Sequence, residues 1–172
     1  MEKKKCKIDI ALSEPTLLKI QSISDDRGLL IPFTDDIDNA LFKRSYIVEN
    51  YGKGVIRGLH YHKKEMKVFT MASGAAKFVT FDLPPAMMDR NDAKEIAEHA
   101  KENPGSVKTW VLSNRHHGVL VIPACFANGW ISLEDHSVLV SLSSSRYEEA
   151  MDDDFRLDPM IIGEKYWQVI GR

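Results

Sequence analysis

Four side chains that can hold an anion or move a proton, Arg57, His60, His62 and Lys67, fall within eleven residues of one another. They lie in Gly54 to Gly74, "GVIRGLHYHKKEMKVFTMASG", which reads as two short strands. In a strand, residues two apart face the same side, so His60 and His62 project together. Arg57 has the opposite parity and reaches the same space only if a bulge near Gly58 shifts the register. Paired imidazoles are the beginning of a metal site, yet Lys67 argues against one. An ammonium has no lone pair to give and repels a divalent ion, and zinc or non-haem iron needs at least three good donors. Glu65, His116 and His117 are the remaining outside donors. Charges are costly inside a β structure unless they are paired or serve a ligand.

The elements that must position these groups are mostly strands. Residues 44–51, 55–62, 66–72, 76–83, 107–113, 118–124, 129–134 and 137–144 are short β-rich runs separated by turn signals, a pattern of sandwiches and barrels. The segment "DRNDAKEIAEHAKENPG" (Asp89 to Gly105) predicts one helix of about three turns, capped by Asn91 or Asp92 and ended before Pro104. Its Ala93, Ile96, Ala97 and Ala100 share a face that can lie on a sheet. Phe69, Phe78 and Tyr61 read as packing, and Trp130 as an aromatic able to line a pocket mouth. Trp167 and Ile170 are apolar enough to pack on a sheet edge or a second subunit. The run Asp152 to Asp154 reads as a solvated loop.

The chain of 172 residues is sized for one domain, residues 1–172, with the helix as an insertion at about 89–105. Its net charge of −2 gives no overall attraction to nucleic acid or an anionic membrane. No apolar run is long enough to span a bilayer or form a signal core, so the expected compartment is the cytoplasm. The two cysteines, Cys6 and Cys125, are expected to be free thiols there.

The spacing Gly54, five residues, His60-x-His62, four residues, Lys67, six residues, Gly74 resembles the first motif of the cupin superfamily. Metal-binding cupins have Glu at the position of Lys67. Their second motif carries Pro-x-Gly-x-x-His, whereas "PACFANGW" has Cys125 for the glycine and Asn128 for the histidine. The resemblance implies an all-β cupin jelly-roll (a double-stranded β-helix) without a catalytic metal.

Among metal-free cupins the chain is similar to the dTDP-4-dehydrorhamnose 3,5-epimerase family. "DDRGLL", "GVIRGLHYH", "LSNRHHGVLVIPACFANGW" and "FRLDP" match that family's stretches in order, from about residue 15 to 160. The likeness implies an isomerase for a nucleotide-diphosphate 4-keto-6-deoxy sugar, with no cofactor and in a homodimer. It places His60 as the base and Lys67 beside the ketone oxygen. Arg27 and Arg57 become anion holders, and Asn128 and Trp130 join the substrate-binding set. The family's proton-returning tyrosine position falls on Val140, with Tyr147 the nearest tyrosine downstream. The carboxylate that partners the family's base has no assigned equivalent. "RGLHYHKK", "FKRSYIV" and "SSSRYEE" also resemble the sugar 3,4-ketoisomerases, whose two histidines shuttle protons between adjacent carbons. On that likeness His62 is a second acid or base. A sugar-nucleotide-binding cupin without catalysis is the third alternative.

Overall fold

The computed structural model describes residues 12–35 and 37–169. Cys6 and Ile170 lie outside the described residues. Among the described residues there are twelve strands: β1 (Thr16–Lys19), β2 (Ile23–Asp25), β3 (Gly28–Leu30), β4 (Arg44–Asn50), β5 (Ile56–Tyr61), β6 (Lys67–Ser73), β7 (Ala75–Asp82), β8 (Val107–Ser113), β9 (Gly118–Ile122), β10 (Phe126–Ser132), β11 (Ser137–Ser143) and β12 (Phe155–Arg156). Three α-helices are α1 (Pro85–Arg90), α2 (Ala93–Glu102) and α3 (Tyr147–Met151). No described helix is long and apolar enough to cross a membrane.

Two five-stranded antiparallel sheets face each other, in the orders β1-β9-β6-β11-β4 and β12-β5-β10-β7-β8. This is the expected jelly-roll. Its edge-side strands β4 and β11 alternate cleanly, whereas β9 is buried throughout. On β11, Leu139, Ser141 and Ser143 are buried and face the other sheet, while Val138, Val140 and Leu142 turn away. Between the sheets Phe69, Phe78 and Trp130 stack, with ring centroids 5.4 and 6.1 Å apart along the series. The outer face of the second sheet carries Leu59, Tyr61, Val79 and Phe81. It is covered by α2 through Ile96 and Ala100, and by Trp167, whose Nε1 donates to Pro159 O at 2.8 Å. Burying Ile96 contributes roughly 2 kcal/mol.

The helix expected within 89–105 is α2, which starts at the Asp92 cap and ends at Glu102, and a second, shorter helix, α1, precedes it. Asn91 ends α1 in the left-handed region at φ 49°, and Asp92 starts α2 by accepting from Lys94 N and Glu95 N. Helix α1 was not expected, because six residues are too few to show a helical period.

Strand β10 begins three residues before the expected Gly129, because Phe126 to Asn128 continue the ladder with β7. The unexpected elements β1, the β2–β3 hairpin and β12 are four residues or fewer, too short to show a period. Cys125, which stands where the second cupin motif has glycine, has φ 67°, a conformation glycine adopts freely. Its thiol is unbridged and half-buried.

Candidate active site

One cavity of about 250 Å³ opens between the sheets and gathers most of the chemistry. The first sheet contributes Arg44, Tyr46 and Val48 from β4, Lys67 and Phe69 from β6, and Leu139 from β11. The second contributes Arg57 and His60 from β5 with Asn128 and Trp130 from β10. His62 follows β5, and Tyr147, Ala150, Met151 and Asp154 close one side. Binding cavities for whole drug-sized ligands run to about 300–1,000 Å³, so this one suits the reacting part of a larger ligand.

Arg57 and His60 share the cavity through a register slip. His60 pairs with Asn128 and Arg57 with Trp130, so Gly58 and Leu59 together stand opposite Gly129. The backbones nearly touch there, and a Cβ on Gly58 would come within 2.6 Å of Gly129 Cα. Gly58 has φ 134°, and the two glycines make the slip possible. Beyond it Leu59 and Tyr61 point outward while His60 and His62 point in. The Arg57 guanidinium is held by Asn50 Oδ1, and Asn50 in turn donates to Ser132 Oγ at 2.7 Å.

His60 donates from Nδ1 to Asp154 Oδ1 at 2.9 Å, which leaves Nε2 as a lone pair on the cavity side. The other carboxylate oxygen, Oδ2, accepts from Arg156 Nε at 3.0 Å. Burial pushes Asp154 up, but the hydrogen bonds from His60 and Arg156 outweigh it and hold the carboxyl below its ordinary value. Asp154 therefore stays ionised at neutral pH and orients the ring.

The family likeness gives no equivalent for this carboxylate, and Asp152 to Asp154 reads from the sequence as a solvated loop. Only the first fits that description. Asp153 is buried and accepts from the backbone N–H groups of Lys63, Lys64 and Glu65, which fixes the turn between β5 and β6. The pairing of β12 with β5, Arg156 opposite His60, carries Asp154 to the imidazole. Two residues of strand are too few to show a period, so nothing in the acidic run signalled this role.

Lys67 and His62 lie at the same wall. Lys67 Nζ donates to His62 Nε2 at 2.8 Å and stands 3.7 Å from Glu65 Oε2. That ammonium occupies the lone pair a metal would require from His62. Among the described residues, no group of three or more His, Cys, Asp or Glu is arranged to hold a metal ion.

His62 is 4% exposed, and its pKa is held below its usual value, first by burial and then by Lys67, against the opposing carboxylates. The consequence for stability follows by linkage. The unfolded chain takes up a proton near pH 6.5 that the folded ring refuses, so His62 costs stability as pH falls below about 6.5. His62→Gln is expected to flatten the fall in the urea midpoint between about pH 7.5 and 5.5. An unchanged slope would show that His62 titrates freely.

Asn128 is buried and donates to His60 O at 3.3 Å, and Trp130 is buried against Phe78. Arg27 is elsewhere. It sits on the β2–β3 hairpin, its side chain 85% exposed and paired with Asp25, away from the cavity of its own chain. Val140 faces away from the cavity, because the inward positions of β11 are odd-numbered. No tyrosine comes from that strand. Tyr46 and Tyr147 line the cavity instead, with the Arg44 guanidinium 4.9 and 5.6 Å from their ring centroids. The alternation of "RSYIVEN" puts Arg44, Tyr46 and Val48 on one face, but nothing in the sequence says which face is inward.

A family model described as dTDP-4-dehydrorhamnose 3,5-epimerase matches residues 9–170. The spore coat polysaccharide biosynthesis protein SpsL of Bacillus subtilis (strain 168) is 26% identical over 142 residues, covering 81% of this chain and 84% of that protein. The rmlC epimerase of Mycobacterium tuberculosis superimposes with a TM-score of 0.67 at 16% identity, over 94% of this chain and 76% of that one. QdtA, a sugar 3,4-ketoisomerase from Thermoanaerobacterium thermosaccharolyticum solved in complex with TDP, gives 0.61 at 24% identity, over 88% of this chain and 93% of that one. At these identities the structural likenesses establish the fold.

Proposed function

The chain belongs to the dTDP-4-dehydrorhamnose 3,5-epimerase family, and we propose that its cavity epimerises a nucleotide-diphosphate 4-keto-6-deoxy sugar without a metal. The carrying observation is the His60–Asp154 pair, which presents a free Nε2 to a space that also holds Lys67. Protons on carbons beside a ketone are acidic enough for such a base to remove. His60 takes the proton, and the negative charge that develops on the ketone oxygen meets the Lys67 ammonium. Inversion requires a proton from the opposite face. Tyr46 stands on β4 of the sheet facing His60, so its phenol is the acid we assign. Arg57 is suited to the diphosphate or the sugar hydroxyls, since its fork of donors is pinned by Asn50.

The reading carries a homodimer. Its support is the β2–β3 hairpin, where Ile23, Leu29 and Leu30 are more than half exposed beside Arg27. A second copy would cover them and bring Arg27 to the anion bound by its neighbour.

The test of the dyad is Asp154→Asn. An amide can donate to Nδ1 and so favours the tautomer with a proton on Nε2, which is no base. Solvent exchange of the sugar proton is expected to fall by on the order of 100-fold or more. Affinity for the nucleotide, read by calorimetry, should stay within about threefold. Wild-type exchange in this variant would remove Asp154 from the mechanism. Binding of TDP-4-keto-6-deoxyglucose by the wild-type protein with no exchange would favour the non-catalytic alternative.

A further inference from the structure

Glu65 is the most deeply buried charge beside the cavity, and the reaction above does not use it. Its side chain has no exposed surface. Oε1 accepts from Ser143 Oγ and lies 3.7 Å from the Arg44 guanidinium. Oε2 and His62 Nδ1 are both buried without any other hydrogen-bond partner and face each other at 3.0 Å, though imperfectly aligned. A buried carboxylate oxygen and a buried ring nitrogen can satisfy one another only if the nitrogen carries the hydrogen. The ring's other nitrogen must then be an acceptor, and it is the one that receives Lys67 Nζ at 2.8 Å.

We infer that Glu65 and His62 form a positioning clamp, a buried carboxylate holding a neutral imidazole in its Nδ1–H form so that Nε2 fixes the Lys67 ammonium at the cavity wall. His62 is then a positioning residue and transfers no proton. The inference rests on the proposed function for its purpose, since a fixed ammonium matters where an oxyanion forms. It also separates the epimerase from a two-histidine shuttle, which needs His62 Nε2 free to meet substrate. Five charged or titratable groups face His62: Glu65 in the turn, Lys67 on β6, Asp153 and Asp154 from the segment after α3, and His60 on β5. The carboxylates favour a protonated ring; burial and Lys67 oppose it and prevail.

The test is long-range proton–nitrogen NMR on full-length protein with labelled histidine. In the wild type, His62 is expected to carry its hydrogen on Nδ1 at neutral pH and to take up a second proton only below the free-imidazole range. A hydrogen on Nε2, or titration near the free-imidazole value, overturns the clamp. Glu65→Gln keeps an acceptor and should keep this tautomer and most of the turnover. Glu65→Met removes the acceptor. It should give mixed tautomers and lower kcat by about 10- to 100-fold, with KM changed by less than about threefold. Unchanged tautomer and kcat in a folded Glu65→Met protein also overturn it. If Glu65→Met does not fold, the wild-type spectrum decides by itself. The predicted tautomer in a protein that exchanges no keto-sugar proton would leave the clamp standing and remove the epimerase reading.

Discussion

His60→Asn is expected to slow exchange of the sugar's ring proton with solvent deuterium by about 1,000-fold, within the range attributed to a positioned general base. His60 is the one cavity imidazole whose second nitrogen is left free, because His62 gives Nε2 to Lys67 while His60 gives only Nδ1, to Asp154. Asparagine keeps a polar group that Asp154 can bind, so the β5–β12 pairing and the buried carboxylate retain a partner. The thermal midpoint should therefore move little, and calorimetry should find TDP binding close to that of the wild type. Loss of exchange with binding preserved assigns proton removal to the ring. Exchange within about tenfold of wild type would place the base elsewhere in the cavity.

Lys67→Met should cost about 100- to 1,000-fold in the same exchange assay, the amount typical for removing a donor to a developing oxyanion. This variant carries a second effect that must be separated from the first. Lys67 faces Glu65 Oε2 at 3.7 Å, and Glu65 is fully buried. Removing the cation leaves a buried carboxylate with Arg44, at 3.7 Å, as its nearest remaining cation. Breaking a buried pair in this way costs about 3–5 kcal/mol, with the lower end expected here because Arg44 stays. The double variant Glu65→Gln/Lys67→Met removes both charges and should recover most of the urea midpoint while recovering no turnover. Recovery of turnover with stability would mean that Lys67 serves the fold alone.

The sheets were legible because both have one packed interior. Alternation in β4, β5 and β11 is a direct consequence of side chains pointing to opposite faces. It placed the imidazoles of His60 and His62 together and left Arg57 dependent on a bulge, which the Gly58–Gly129 crossing supplies. Helix α2 was legible from its Asp92 cap and its apolar face, whereas α1, six residues opening at Pro85, was too short to show a period.

What escaped was contact across long chain separations. Asp154 lies 94 residues from His60, and its role is set by two residues of β12 pairing with β5. Three adjacent aspartates do three different things: Asp152 ends α3, Asp153 fixes a turn and Asp154 orients a ring. Composition alone makes them alike. The mutual satisfaction of His62, Lys67 and Glu65 was equally hidden, since spacing put a cation beside two imidazoles without saying that one imidazole would be its acceptor. Tyr46 was missed for a different reason. The likeness directed attention to β11, whose inward positions carry no tyrosine, and away from its β4 neighbour opposite Ser141.

Incubation with TDP-4-keto-6-deoxyglucose in deuterium oxide, followed by proton NMR, tests proton removal beside the ketone most directly. Deuterium is expected at C3 or C5, with the carbonyl still at C4 and the configuration at the labelled carbon inverted in part of the product. A carbonyl moved to C3 with label at C4, or a sugar returned unlabelled, would contradict the epimerase reading.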